Sequence, residues 1–241
     1  MCGRITATFE FSDIRVRWNL EGDLAGIAPR FNIAPEETTS VSGVTIPVIV
    51  REVNTNRCRA MHWGLIPNWA ADPTMGNRII NARAETLTEK PAFKDLVRSR
   101  RCIIPADGFY EWRKEGKRKI PMWVHLKSRE PFGMAGLWDA WRNPNGKRVE
   151  SFTIITTEPN ELIRPIHNRM PVILRPEDEE AWLDVSRTSF AKAGSFLKPY
   201  PDELMAAHDV SAVVNSAKYE GPECIQPVSD DDKPSGQLSL L

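Results

Sequence analysis

The sequence predicts an α+β protein, a single domain on a mostly antiparallel sheet or barrel-like core with a few peripheral helices. Three observations predict it. Seven short runs are rich in Val, Ile and aromatics: TIPVIVREV, RCIIPA, GFYEWR, IPMWVHL, SFTIITT, MPVIL and DVSAVV. Two of them, GFYEWR and IPMWVHL, flank KEGK, a connection of hairpin length that makes the pair antiparallel. Helix signals are few and do not alternate with the strands, which argues against a doubly wound parallel sheet.

Each element has its own justification along the chain. SDIRVRWNL is the first helix candidate, and TIPVIVREV the first long strand. In PAFKDLVRSRR, Pro91 suits the first helical turn, Phe93, Leu96 and Val97 share a face, and the last turn is basic, which complements the helix dipole. RCIIPA, GFYEWR and IPMWVHL follow as successive strands, then SFTIITT and MPVIL. Pro176 begins the helix PEDEEAWLDV, whose acidic residues favour its N-terminus, and DVSAVV is the last strand. The polar, breaker-rich SDDDKPSGQLSLL reads as a disordered tail. With no internal repeat and no long Gly/Ser linker, the expectation is one domain over 2–228 and a tail over 229–241.

Composition narrows the function classes. A hydrophobic fraction of 41% with 27% charged residues is that of an ordinary globular protein. No apolar run approaches the roughly 20 residues that span a bilayer, and the N-terminus lacks the features of a secretory signal. The expected location is the cytoplasm, with no membrane partner. Cys2, Cys58, Cys102 and Cys224 are widely scattered without a C-x-x-C pair, which argues against a disulfide framework and a zinc knuckle. The last three read as buried small apolar residues. His62, His125, His167 and His208 are equally dispersed, so no metal site is expected. Phosphate-cradling glycine motifs are absent and no cofactor is called for. Nothing requires more than a monomer. The formal charge is zero, yet residues 78–119 carry twelve Lys or Arg against six Asp or Glu, and residues 202–241 carry two against eight. On charge alone this reads as a solvated face plus an acidic tail; the functional alternative is a basic surface for phosphates hidden in the total.

The chain begins MCGR, and a cysteine at position 2 contributes little to a core. Methionine removal tolerates a small second residue, and the mature chain would then begin with an amine and a thiol on adjacent carbons. Their ordinary pKa values, about 7.7–8.0 and about 8.5, bring both into nucleophilic form near neutral pH. Such a 1,2-aminothiol condenses with an aldehyde to an imine and closes its thiol onto the imine carbon as a thiazolidine. The same terminus also suits N-terminal-nucleophile hydrolysis.

Polar residues embedded in strand-like runs supply candidate partners. RIINARAET puts Asn81, Arg83 and Glu85 on one side by period-2 alternation. Glu111 lies between Tyr110 and Trp112, an apolar setting that raises a carboxyl's pKa and suits it to proton transfer. His167 and Arg169 precede MPVIL, two apart. With Cys2 they make an acid–base set of nucleophile, carboxyl, imidazole and amide. Eight tryptophans are many for this length, and loop-borne ones such as Trp63 and Trp69 in HWGLIPNWA suit stacking on unpaired bases.

The blocks MCGR, RFNIAPEE, HWGLIPNW, INARAET, RRCIIPADGFYEW, AGLWDAW, TIITTEPN and IHNRMPVIL, in this order, resemble the SOS response-associated peptidase family from residue 2 to about residue 215. The resemblance implies a shield for abasic sites in single-stranded DNA, which condenses Cys2 with the C1′ aldehyde of the opened sugar into a thiazolidine crosslink. It implies that Asn81 orients the reacting amine and sugar, that Glu111 shuttles protons and that His167 acts as acid/base in opening the sugar and in slow reversal. Arg83 and Arg169 would hold flanking phosphates, Pro35, Trp63, Trp69 and Trp112 would pack against splayed bases, and Arg4 would line the same cleft. Association with the nucleoid follows while DNA is bound. Peptide or amide hydrolysis by Cys2 is the other activity these residue types allow, and non-catalytic single-strand binding the third.

Overall fold

The structure is a computed structural model that describes residues 2–21, 28–35 and 45–228. The expected tail lies outside the described residues. Among the described residues the strands, in chain order, are β1 Ile5–Ala7, β2 Leu20–Glu21, β3 Arg30–Ile33, β4 Thr45–Glu52, β5 Thr55–Trp63, β6 Asn81–Arg83, β7 Arg101–Ala106, β8 Gly108–Glu115, β9 Arg118–Leu126, β10 Phe132–Arg142, β11 Arg148–Thr157, β12 Met170–Pro171 and β13 Met205–Asp209. The α-helices are α1 Phe11–Arg17, α2 Leu96–Ser99, α3 Pro176–Leu183 and α4 Phe190–Ala193.

Strands β11, β10, β7, β4 and β5 pair in that order, and β5 also pairs with β11, in parallel, with Ser151 opposite His62 and Phe152 opposite Trp63. That last pairing closes a five-stranded barrel. A second, five-stranded sheet runs β13-β9-β8-β1-β3 with antiparallel neighbours. The predicted fold class, α+β on a mostly antiparallel barrel-like core, therefore holds, and the solvent-excluded residues explain it. RCIIPA is buried at every position of β7 because both faces of that strand are covered. Its even residues, Cys102 and Ile104, join Ile46, Val48 and Val50 of β4 and Phe109 and Val124 of the second sheet in one core. Its odd residue Ile103 joins Ile49, Ala135 and Leu137 beneath Ile14 of α1, Leu96 and Val97 of α2, and Trp182 of α3. The period-2 alternation of these strands thus divides the core in two.

The KEGK turn is realised as a two-residue loop: Glu115 opposes Arg118, and Gly116 takes φ +60, the left-handed conformation such a loop demands at its first position. Four expectations need correction. MPVIL pairs regularly only over Met170–Pro171, because it wedges between β10 and β11 as they diverge: Val172 N–H reaches Ile155 O at 2.8 Å and Ala135 N–H reaches Val172 O at 2.9 Å. DVSAVV is not a strand. The strand ends at Asp209, and Ala212–Asn215 is a 3-10 turn capped by Ser211, whose side chain accepts from Val213 N–H. The helix in PAFKDLVRSRR is confined to Leu96–Ser99, with consecutive turns before it. Cys58 is only half-buried, whereas Cys102 and Cys224 are buried as expected.

Candidate active site

The candidate residues meet at the seam between the barrel and the second sheet. β1 lies beside β8 with Ile5 opposite Phe109, and Tyr110 N–H donates to Arg4 O at 2.9 Å, so the N-terminal residues run along β8 towards Glu111. From the barrel side, β6 runs parallel along β11 with Asn81 opposite Ile154. Asn81 Nδ2 donates to the Cys2 carbonyl at 2.8 Å and to Ile80 O at 2.7 Å, tying the start of the chain to the barrel. Asn81 Oδ1 is buried and has no hydrogen-bond partner among the described residues.

Burial dominates the electrostatics. Glu111 is 4% exposed, and loss of water raises its carboxyl to about 7. Cys2 is fully buried among core residues, which corrects the expectation that a cysteine at this position adds little to a core. Burial first and the nearby Glu111 carboxylate second push its thiol far above the ordinary range. His167 Nδ1 lies 3.9 Å from Glu111 Oε1 and sits 3.1 Å from the Arg169 backbone nitrogen and 3.2 Å from the Arg169 carbonyl oxygen. Partial burial lowers the imidazole's pKa. A neutral imidazole beside a carboxyl poised near 7 can exchange protons with a substrate in either direction near neutrality.

Glu111, Trp112 and His167 line one groove of about 380 Å³ together with Lys114, Lys119 and Asn215. The Trp112 indole N–H donates to Asn215 Oδ1 at 2.7 Å, and the Arg4 guanidinium lies 5.7 Å from the Trp112 ring centre. Arg4 is itself held by Asn32 Oδ1 and Val214 O, both at 2.6 Å. Arg83 is exposed and makes no ion pair among the described residues. Arg169 is differently placed: it forks onto Glu85 Oε1 and Oε2 at 2.7 and 3.0 Å and donates to Thr156 O at 2.6 Å. Glu85 lies beyond the end of β6, in a 3-10 turn, so the expected alternation stops at Arg83.

Among the aromatics, Trp69 is 55% exposed and Pro35 half-buried. Trp63 is not available to a base. It is 1% exposed, stacks on Phe152 with ring centres 6.1 Å apart and donates its N–H to Ile80 O at 3.0 Å. The physical reason is its position at the barrel-closing end of β5, where the register sets it against Phe152.

The groove's Lys114, Lys119 and Asn215 were not among the sequence candidates. For the lysines a signal existed, because a two-residue loop at Gly116–Lys117 puts residue 114 opposite residue 119. Asn215 had none: it directly follows DVSAVV, which reads as a strand. Among the described residues no group of three His, Cys, Asp or Glu could hold a metal ion, and no helix is long and apolar enough to cross a membrane.

The model of the family described as SOS response associated peptidase (SRAP) matches residues 1–217. The chain belongs to this family. It is similar to abasic site processing protein YoqW of Bacillus subtilis (strain 168), 45% identical over 229 residues that cover 94% of this chain and 99% of the relative. It is also similar to abasic site processing protein HMCES of Xenopus tropicalis, 29% identical, covering 99% of this chain and 82% of that protein. An X-ray structure of a protein from Bacteroides thetaiotaomicron shares the fold at a TM-score of 0.83 and 30% identity, over 95% of this chain and 100% of that one. The family match takes in Cys2, Asn81, Glu111 and His167 and ends two residues past Asn215.

Proposed function

We propose that this protein processes abasic sites in single-stranded DNA by capturing them covalently through Cys2 after Met1 is removed. The amine attacks C1′ of the ring-opened sugar and expels water as the imine forms. The thiol then adds across C=N, its proton passing to nitrogen, to close a thiazolidine. One water is lost overall. The observation that carries this reading is the Asn81 side chain on the Cys2 carbonyl, at the seam that also holds Glu111 and His167.

Each group has a role in the proposal. Asn81 orients the first residue and offers its buried Oδ1, an acceptor whose burial without a partner costs about 1–3 kcal/mol, to the amine or a sugar hydroxyl. Glu111 gives and takes the protons of imine formation, and His167 those of sugar opening and of reversal. Arg83 holds a flanking phosphate. Arg169, already engaged by Glu85, contributes by fixing the backbone beside His167 as much as by charge. Trp69, Trp112 and Pro35 pack against bases. Binding of this kind is independent of sequence and uses the strand's backbone and stacking faces.

Support also comes from comparing nucleophiles. A hydrolase working through Cys2 needs a thiolate, and burial beside the Glu111 carboxylate disfavours one. The imine route begins with the amine instead. Intact mass spectrometry tests the reading, before and after incubation with a single strand bearing one abasic site. The expected product is protein lacking Met1 plus DNA less one water, joined at Cys2. Cys2→Ser should form only a reducible imine. An unchanged mass, or a crosslink formed while Met1 is retained, overturns the proposal and brings peptide hydrolysis forward.

A further inference from the structure

We propose that Lys114 and Lys119 form a clamp for one backbone phosphate at the lip of the groove. The clamp names a subsite of the same site, so it rests on the reading that a DNA strand is the ligand.

Lys114 and Lys119 are direct cross-strand partners in the β8–β9 ladder, and both are exposed. Like charges in that position repel and destabilise a hairpin. Elsewhere in the same ladder Glu115 opposes Arg118, and Arg113 reaches Asp209 of β13 at 3.1 Å. Neither lysine has an ion pair among the described residues. The uncompensated pair therefore stands on the one stretch of the hairpin that lines the groove with Glu111 and His167.

The surroundings point to a phosphodiester. Trp112 lies two residues before Lys114 and shares its face of β8, and its ring is held by the bond to Asn215. A nucleotide whose base lies against that ring would carry its phosphate over the two ammonium groups. Directly opposed residues have Cα atoms about 4.5–5.5 Å apart, close enough for both flexible stems to converge on one phosphate. Ammonium groups meet a phosphate as point charges without reading bases, which suits a lesion that occurs in any sequence. A neutral peptide would leave both charges uncompensated.

The test is a salt series of binding titrations on a fluorescent single strand with no abasic site, which keeps the readout independent of Cys2. For the double variant Lys114→Gln, Lys119→Gln, the slope of log affinity against log salt should shrink by about 0.7, the value for one phosphate on a single strand, and affinity at low salt should fall about threefold to tenfold. Lys114→Glu separates fold from binding. It places opposite charges across the ladder, so the melting temperature should hold or rise while affinity drops further. An unchanged slope in the double variant, or a Lys114→Glu protein that melts higher and binds as well as before, overturns the clamp. Wild-type protein that binds the strand but never crosslinks an abasic one would sink the proposed function and leave the slopes to judge the lysines. No binding at all would sink both.

Discussion

Glu111 shows what one residue's setting determines. In the folded chain its carboxyl keeps its proton up to about 7, whereas an unfolded chain releases it near the ordinary value of about 4.3. Between those values the folded state binds more protons, so this group's contribution to stability is lost as pH rises through the window. Glu111→Gln should remove the loss, which amounts to up to about 3 kcal/mol for a group this buried. Melting curves at pH 4.5 and pH 8 would check it: the variant should gain on wild type only at the higher pH. If the carboxyl moves protons in imine formation, the crosslinking rate should also lose its inflection near neutrality. The two tryptophans of HWGLIPNWA should respond in opposite ways. Trp63→Ala should cost about 3–5 kcal/mol by leaving a cavity against Phe152. Trp69→Ala should leave the melting temperature within a few degrees and weaken single-strand binding, because its ring is already exposed. A Trp69 variant that melts far lower with unaltered binding would show that its ring serves packing.

At the scale of elements, the loop between β5 and β6 is held by a glycine pair. Gly64 has φ +129, and a Cβ there would lie 2.8 Å from the Gly76 carbonyl oxygen; a Cβ on Gly76 would lie 2.7 Å from Gly64 O. Backbone meets backbone, so neither side can yield as a flexible side chain would. Gly64→Ala therefore combines a strained dihedral with overpacking and should destabilise by about 2–4 kcal/mol. The shift would reach the segment that presents Trp69 and, through the Leu65 N–H to Ile79 O bond of 3.1 Å, the start of β6. Denaturant unfolding would measure the cost. Gly146 also has positive φ, but a Cβ there would meet no atom within 4 Å, so the same substitution should cost less.

For the whole molecule, the site exists because the second sheet packs against the barrel, Phe109 and Val124 sharing one core with Cys102 and Ile104. β6, paired with the barrel strand β11, supplies Asn81, the connection between β11 and β12 supplies His167, and the second sheet with the segment leading into it supplies Cys2, Glu111 and the lysine pair. Asn81→Ala removes a side-chain tie between them and should cost about 1 kcal/mol, a shift of about 2–4 °C in melting temperature for a chain of this size. If Cys2 is the reacting residue, the effect on crosslinking should be larger than that small loss suggests, since Cys2 is no longer held. A crosslinking rate that falls only in proportion to stability would count against an orienting role.

The sequence by itself determined the strand-rich α+β class, the β8–β9 hairpin and the barrel strands β4, β7 and β11, because period-2 burial, β-branched composition and turn chemistry act over a few residues; β5 and β10 are not among the runs that read as strands. It also set Glu111 in an apolar strand and marked Cys2 and Asn81 by type and position. The family blocks carried the grouping of these residues ahead of any geometry. Only the tertiary structure decided that β5 pairs with β11 to close the barrel and that Trp63 is consumed in that closure. The same holds for the Arg169–Glu85 pair and for Asn215 in the groove. Those outcomes depend on contacts between residues dozens of positions apart, and local pattern carries no information about which distant surface a side chain will meet. Even the lysine pair, legible in hairpin register, acquired meaning only when the fold set it beside Glu111 and His167.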